Sequence, residues 1–152
     1  HVSKVDIVKL LSQLLEEFYP SFKDKNLSYE LQSNVPGKVI TADGNLLARL
    51  FDNLINNAIK FTPEGGTIGI SLVAVDDTAT VQVSDTGIGM DRETQQHIFE
   101  KFYQGDKSHH GEGNGLGLAM VKRIIALSRG KITVDSVKGK GTTFTVQLPV
   151  KG

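Results

Sequence analysis

Cysteine is absent from this chain of 152 residues, which excludes disulfides and thiolate zinc sites and fits a reducing compartment. An excess of charge of one sign is also missing. Lys+Arg and Asp+Glu both number 17, so a long polyanion such as DNA is not expected as the main partner. No apolar run approaches the roughly 20 residues that a membrane-crossing helix needs, and no signal peptide opens the chain. There is no composition shift, internal repeat or low-complexity segment, so residues 1–152 read as one domain. The first residue is His1 rather than methionine, which points to a piece of something longer.

What is present is strong periodicity. Val5, Ile7, Val8, Leu11, Leu14, Leu15 and Phe18 have helical spacing over 5–19, with Pro20 and Asn26 marking the end. Leu27, Tyr29 and Leu31 alternate in a strand over 27–33; Val35-Pro36-Gly37 turns the chain into a second strand over 38–42. Asp43 is a candidate N-cap for a long helix through Phe61, stopped by Pro63-Glu64-Gly65-Gly66. Strands follow at 67–75 and 79–85, then a helix over 91–102 and a loop over 104–113. A helix over 115–128 ends with Gly130 at C′, and strands 131–137 and 142–149 close the chain. This pattern predicts an α/β (α+β) two-layer sandwich, with helices on one face of a mixed, largely antiparallel sheet.

Several side chains fit this frame awkwardly unless they have partners. Asn53, Asn57 and Lys60 stack on one face of the long helix beside Leu47, Leu50, Leu54 and Phe61. They suit either a solvated polar stripe or a site with an amide oxygen for Mg²⁺ and an ammonium for phosphate. Asp85 ends a strand on the face of Val81 and Val83, where a carboxylate needs a donor. It is either a turn or capping aspartate or an acceptor for the exocyclic amine of adenine, with Gly87 and Gly89 bringing Ile88 and Met90 near the base. Thr142 alternates with Phe144, Val146 and Leu148 and faces the core, as a satisfied threonine or a hydroxyl reaching adenine. Phe99 and Phe102-Tyr103 either close the core or anchor the loop that follows. Gly113, Gly115 and Gly117 lead into a helix, which is either a plain turn or a cradle of N–H groups suited to phosphate.

In order, Asn53–Thr62, Asp85–Met90, Ile98–Tyr103, Gly113–Leu118 and Gly139–Phe144 resemble the N, G1, F, G2 and G3 boxes of the catalytic ATP-binding domain of bacterial sensor histidine kinases. The resemblance covers nearly the whole chain. It implies a Bergerat-type ATP fold, unrelated to the P-loop, with ATP and Mg²⁺ as cofactors. Asn57 would then ligate Mg²⁺, Lys60 would contact phosphate, and Asp85 would bind the adenine amine. Gly87, Ile88, Gly89, Met90, Tyr103, Lys107, Gly113, Gly115, Leu116, Gly117, Leu118 and Thr142 would complete the nucleotide site. Residues 104–113 would form an ATP lid, with Gln104 and His109 standing where many members have arginine.

The same resemblance bears on the reaction. Gyrase-like ATPases of the wider superfamily have a glutamate four residues before the metal-binding asparagine, where this chain has Asn53. A neutral amide cannot take a proton from water, which favours phosphoryl transfer to a histidine, with Asn53, Asn57 and Lys60 as catalytic positions. Asp52 lies about 100° round the helix from Asn53 and is a poor substitute. The acceptor would sit on a separate dimerisation domain, since His1, His97, His109 and His110 all lack its His-Glu/Asp signature. The implied partners are that domain and a response regulator. The implied parent is a membrane-bound homodimer, with this piece monomeric and cytoplasmic. A superfamily ATPase, an anti-sigma serine kinase and a nucleotide-sensing pseudokinase are the alternatives.

Overall fold

The computed structural model describes residues 1–100 and 116–151, with Leu116 in backbone only. The elements run β1 (Ser3–Asp6), α1 (Ile7–Asp24), β2 (Ser28–Ser33), β3 (Val39–Ala42), α2 (Gly44–Phe61), β4 (Thr67–Val75) and β5 (Thr78–Asp85). They continue with α3 (Arg92–His97), α4 (Leu116–Leu127), β6 (Lys131–Val137) and β7 (Gly141–Pro149).

A five-stranded sheet is ordered β2-β4-β5-β7-β6. Its β2–β4 pair is parallel and the other three pairs are antiparallel. Alternation sets one face against the helices. Ile68, Ile70 and Leu72 of β4, Ala79, Val81 and Val83 of β5, and Phe144, Val146 and Leu148 of β7 are all buried. Between them lie Ser71, Gln82, Ser84, Thr143, Thr145 and Gln147, a polar row on the opposite face. The helices supply the other half of the core from Leu11 and Leu15 of α1, the apolar stripe of α2, and Val121, Ile124 and Ile125 of α4. Burying each large aliphatic side chain is worth about 1.5–3 kcal/mol, which holds the layers together.

Long helix α2 starts as its sequence dictates. The Asp43 carboxylate accepts from the N–H groups of Asn45 and Leu46 at 3.0 and 3.2 Å. Leu47, Leu50, Phe51, Leu54, Ile55, Ala58 and Ile59 then form the buried stripe. At the far end the Thr62 hydroxyl, fully buried, donates to the Ala58 carbonyl at 2.6 Å.

The first helix departs from expectation at both ends. Residues 3–6 form a strand paired antiparallel with β3, Val5 opposite Ile40, and Asp6 caps the helix by accepting from Val8 and Lys9 N–H. The helix also runs through Pro20 to Asp24. It ends where Asn26 takes φ 54° and Leu27 N–H reaches back to the Phe22 carbonyl at 2.8 Å, a Schellman closure. A similar closure ends α4, and here the expected C′ residue is displaced by one. Arg129, not Gly130, has the positive φ of 59°, and Gly130 N–H bonds to the Ile125 carbonyl at 3.0 Å. Gly130 is required for a different reason: a Cβ there would lie 2.6 Å from the Gln147 carbonyl oxygen.

One side chain extends the sheet. Beyond β2, the Asn34 amide donates to the Ala74 carbonyl at 3.0 Å and accepts from the Ala74 N–H at 2.8 Å. It thereby makes the two bonds that another strand residue would have made to β4.

Candidate nucleotide site

The site is built where β5 ends, at Asp85, whose Cα neighbours across the sheet are Ile68 of β4 and Thr142 of β7. Asp85 Oδ1 accepts two backbone N–H bonds, from Gly87 at 2.8 Å and Thr142 at 3.2 Å. Among the described residues no group donates to Oδ2. Burial raises the Asp85 pKa above its ordinary value; the two N–H donors oppose this and are outweighed. The result is a half-buried carboxylate with one oxygen fixed by the backbone and the other open.

The loop after Asp85 is held by backbone approaches that only small residues permit. A Cβ on Gly87 would fall 2.2 Å from the Phe61 carbonyl oxygen and 2.9 Å from Asp85 Oδ1. The close approach lets Ile88 N–H donate to that Phe61 carbonyl at 3.0 Å, tying the loop to the last residue of α2. Gly139 N–H donates to the Ile88 carbonyl at 2.6 Å, tying it to the turn between β6 and β7. Gly89 follows the doubly tied Ile88 with φ 67°. Ile88 is exposed, whereas Met90 is half-buried against the core.

Ser136 organises the far side, and nothing in its local sequence marks it. Its hydroxyl donates to the Gly141 carbonyl at 2.9 Å and accepts from the Met90 N–H at 2.8 Å. That uses its only proton, so the 2.8 Å contact with Thr142 Oγ1 is a bond donated by the threonine. Buried Thr142 therefore keeps acceptor capacity. Gln95 of α3 completes the brace by donating to the carbonyls of Met90 and Ser136, both at 3.0 Å.

On α2, Asn57 is half-buried and Lys60 is exposed, one turn and one residue before Phe61. Among the described residues the Asn57 amide makes no hydrogen bond. Asn53 points to α4 instead. Its Nδ2 donates to the Arg49 carbonyl at 2.9 Å and lies 3.9 Å from Met120 Sδ. Its Oδ1 would be 3.5 Å from a Cβ on Gly117, so the α4 N-terminus lies directly against α2. Leu118 is half-buried and packs on the core.

Helix α3 is shorter than the expected 91–102. Asp91 caps it through Thr94 N–H at 2.7 Å, and it ends at His97, followed by a turn from Glu100 N–H to the His97 carbonyl. The His97 ring bonds to the Glu100 carboxylate. Phe99 closes the core, edge-on to Phe144 at 6.1 Å, with Lys122 Nζ 5.6 Å from its ring centre. Phe102, Tyr103, Lys107, Gly113, Gly115, His109, His110 and the lid expected at 104–113 lie outside the described residues, as does the Leu116 side chain. Among the described residues no group of three or more His, Cys, Asp or Glu side chains could hold a metal.

A mixed sheet covered by helices, with a half-open carboxylate at a strand end braced against glycine turns, defines a nucleotide-binding domain of non-P-loop type. Residues 42–152 match the family described as histidine kinase-, DNA gyrase B-, and HSP90-like ATPase, and the chain belongs to that family. It is 42% identical to the sensor histidine kinase RppB of Synechocystis sp., over 93% of this chain and 32% of that protein. Full-length ShkA, solved in complex with AMPPNP, is 33% identical, with a TM-score of 0.86 over 97% of this chain and 31% of that one. The catalytic domain of histidine kinase ThkA has the same fold at 23% identity, with a TM-score of 0.89 over 99% of this chain and 97% of that one. The chain spans about a third of the length of the first curated relatives it matches. No described helix is long and apolar enough to cross a membrane.

Proposed function

We propose that this chain binds Mg·ATP and donates the γ-phosphoryl group to a histidine on a separate dimerisation domain of a two-component sensor kinase. The observation that carries the reading is the asymmetry of Asp85, with Oδ1 fixed by two N–H groups and Oδ2 open. An open carboxylate oxygen accepts the adenine amine, and the free lone pair on Thr142 Oγ1 accepts from the same amine or a water beside it. Lys60 meets the phosphates from the end of α2, and the N–H groups of Leu116 and Gly117 meet them from the start of α4. The family resemblance assigns Tyr103, Lys107, Gly113 and Gly115 to the same nucleotide site.

The Asn57 amide fits Mg²⁺, being a neutral oxygen donor with no competing bond among the described residues. A single protein oxygen is enough for a cation whose remaining ligands are phosphate oxygens and water. Bound there, Mg²⁺ supplies neutralisation of charge across the phosphates. The chain's own work is positioning. Asn53 is a neutral amide engaged with its own helix and Met120, which supports transfer to a histidine over water activation. The response regulator then meets the dimerisation domain, in a membrane-bound homodimeric parent whose cytoplasmic part includes this chain.

Two outcomes test the assignment. Asn57→Ala should lower affinity for Mg·ATP by about 10- to 100-fold in calorimetric titration and leave affinity for ATP in EDTA nearly unchanged. Equal losses in the two titrations would remove the metal-ligand role. The chain alone, given γ-labelled ATP, should bind nucleotide but accumulate no stable label. Label on this chain itself would overturn transfer to a separate domain.

A further inference from the structure

Lys25 is half-buried just past the end of α1, and its Nζ donates to two carbonyls at the end of α2: Ile59 at 2.7 Å and Lys60 at 3.0 Å. The carbonyls of a helix's last turn have no partner within the helix, and a cation there also meets the negative end of the helix dipole. Phe61, the next residue, gives its carbonyl to Ile88 N–H at 3.0 Å. The three consecutive carbonyls that end α2 are thus each held by a group from elsewhere in the fold. Asn57 and Lys60 are carried on that turn.

The lysine is itself held in place. Its backbone belongs to the Schellman closure at Asn26 and Leu27, so the stem starts from a fixed point. The neighbouring chain is also tied to the turn after α2: Gly65 N–H donates to the Asn26 carbonyl at 3.2 Å and Ser28 N–H to the Gly66 carbonyl at 3.0 Å. An ammonium on a stem so anchored sets where the α2 terminus lies relative to Asp85.

We propose that Lys25 is a positioning residue for the phosphate and metal end of the nucleotide site, acting through the terminal carbonyls of α2 on Lys60 and Asn57. The proposal rests on the Mg·ATP reading above. Asp85 itself is held by β5, by the Gly87 and Thr142 N–H groups and, through Thr142, by Ser136. The tie of its loop to α2 is the Ile88–Phe61 backbone bond, which does not involve Lys25. Loss of the Lys25 ammonium should therefore separate the two halves of the ligand.

The test compares calorimetric affinities of the chain for Mg·ATP and for adenosine, at 0.15 M salt, where charge effects beyond about 8 Å are screened. Lys25→Met, which keeps the stem, should weaken Mg·ATP by about tenfold and adenosine by less than about twofold. Lys25→Arg, which restores donors to the carbonyls, should return Mg·ATP to within about threefold of the parent chain. Adenosine binding reports folding in every variant, so a general loss of structure is seen as parallel losses. Parallel losses, or none, overturn the proposal. If the unaltered chain binds Mg·ATP no better than adenosine, the Mg·ATP reading itself fails and this inference fails with it.

Discussion

Asp85→Asn is expected to lower ATP affinity by roughly 10- to 100-fold and to turn the nucleotide preference toward GTP. The reason lies in the two oxygens. Oδ1 serves the N–H groups of Gly87 and Thr142, so an asparagine keeps its oxygen there and directs its NH₂ to the position of Oδ2. A donor then faces the donor amine of adenine, whereas guanine presents an acceptor at the same edge. Competitive titration of ATP and GTP against the variant measures the exchange, and an unchanged ratio would remove Asp85 from base recognition.

The same carboxylate gives a pH dependence with a definite sign. Burial raises its folded-state pKa above the ordinary 3.8, so the ionised form destabilises the fold. That penalty is absent below pH 3.8 and sets in as pH rises through the raised value, remaining at neutral pH. The Asn variant lacks it, so the nucleotide-free variant should melt no lower than the parent chain at pH 7. Binding has the opposite need, because with Oδ1 accepting two N–H bonds a proton would sit on Oδ2 and set a donor against the donor amine. ATP affinity should fall on acidification at a higher pH than an exposed aspartate would give.

The largest loss of stability is expected from Gly141→Ala, about 3 kcal/mol or more by urea unfolding. Gly141 has φ 138°, and a Cβ there would lie 2.0 Å from the Asp85 carbonyl oxygen. No flexible side chain can yield, because the nearest atoms are all backbone, of Asp85 and Thr86. Gly139→Ala in the same turn is the control. It also has positive φ, 85°, but nothing lies within 4 Å of its built Cβ, so the cost should be only about 1–2 kcal/mol. Equal costs at the two positions would show that conformation alone decides, without the close approach.

Much of the candidate site is legible as a set of residues that stand chemically out of place. Asp85 breaks an apolar alternation, Asn57 stands half-buried beside the apolar stripe of α2 with exposed Lys60 on the same face, and Thr142 takes a core-facing register; each feature is local and can be read from spacing. The misses have long-range causes. Strand β1 depends on pairing with β3, nearly forty residues away, while Val5 fits a helical stripe equally well. Pro20 suits a helix stop, yet the helix continues to Asp24 and ends in the closure around Asn26. Gly130 fits a left-handed cap by residue type because glycine usually supplies one, but its place is set by the Gln147 backbone, and Arg129 takes the turn. Ser136, Gln95 and Lys25 carry no local signal, since each acts on backbone groups of a distant element.

The paired bonds between the Asn34 amide and Ala74 bear on how such a domain survives at high concentration. Strand β4 outruns its outer neighbour β2, and Val73 and Val75 of β4 are exposed there. A free N–H and carbonyl beside exposed valines would be a template for a strand from another molecule. By filling that place with an amide that has no onward ladder to offer, the chain ends its sheet there chemically as well as spatially.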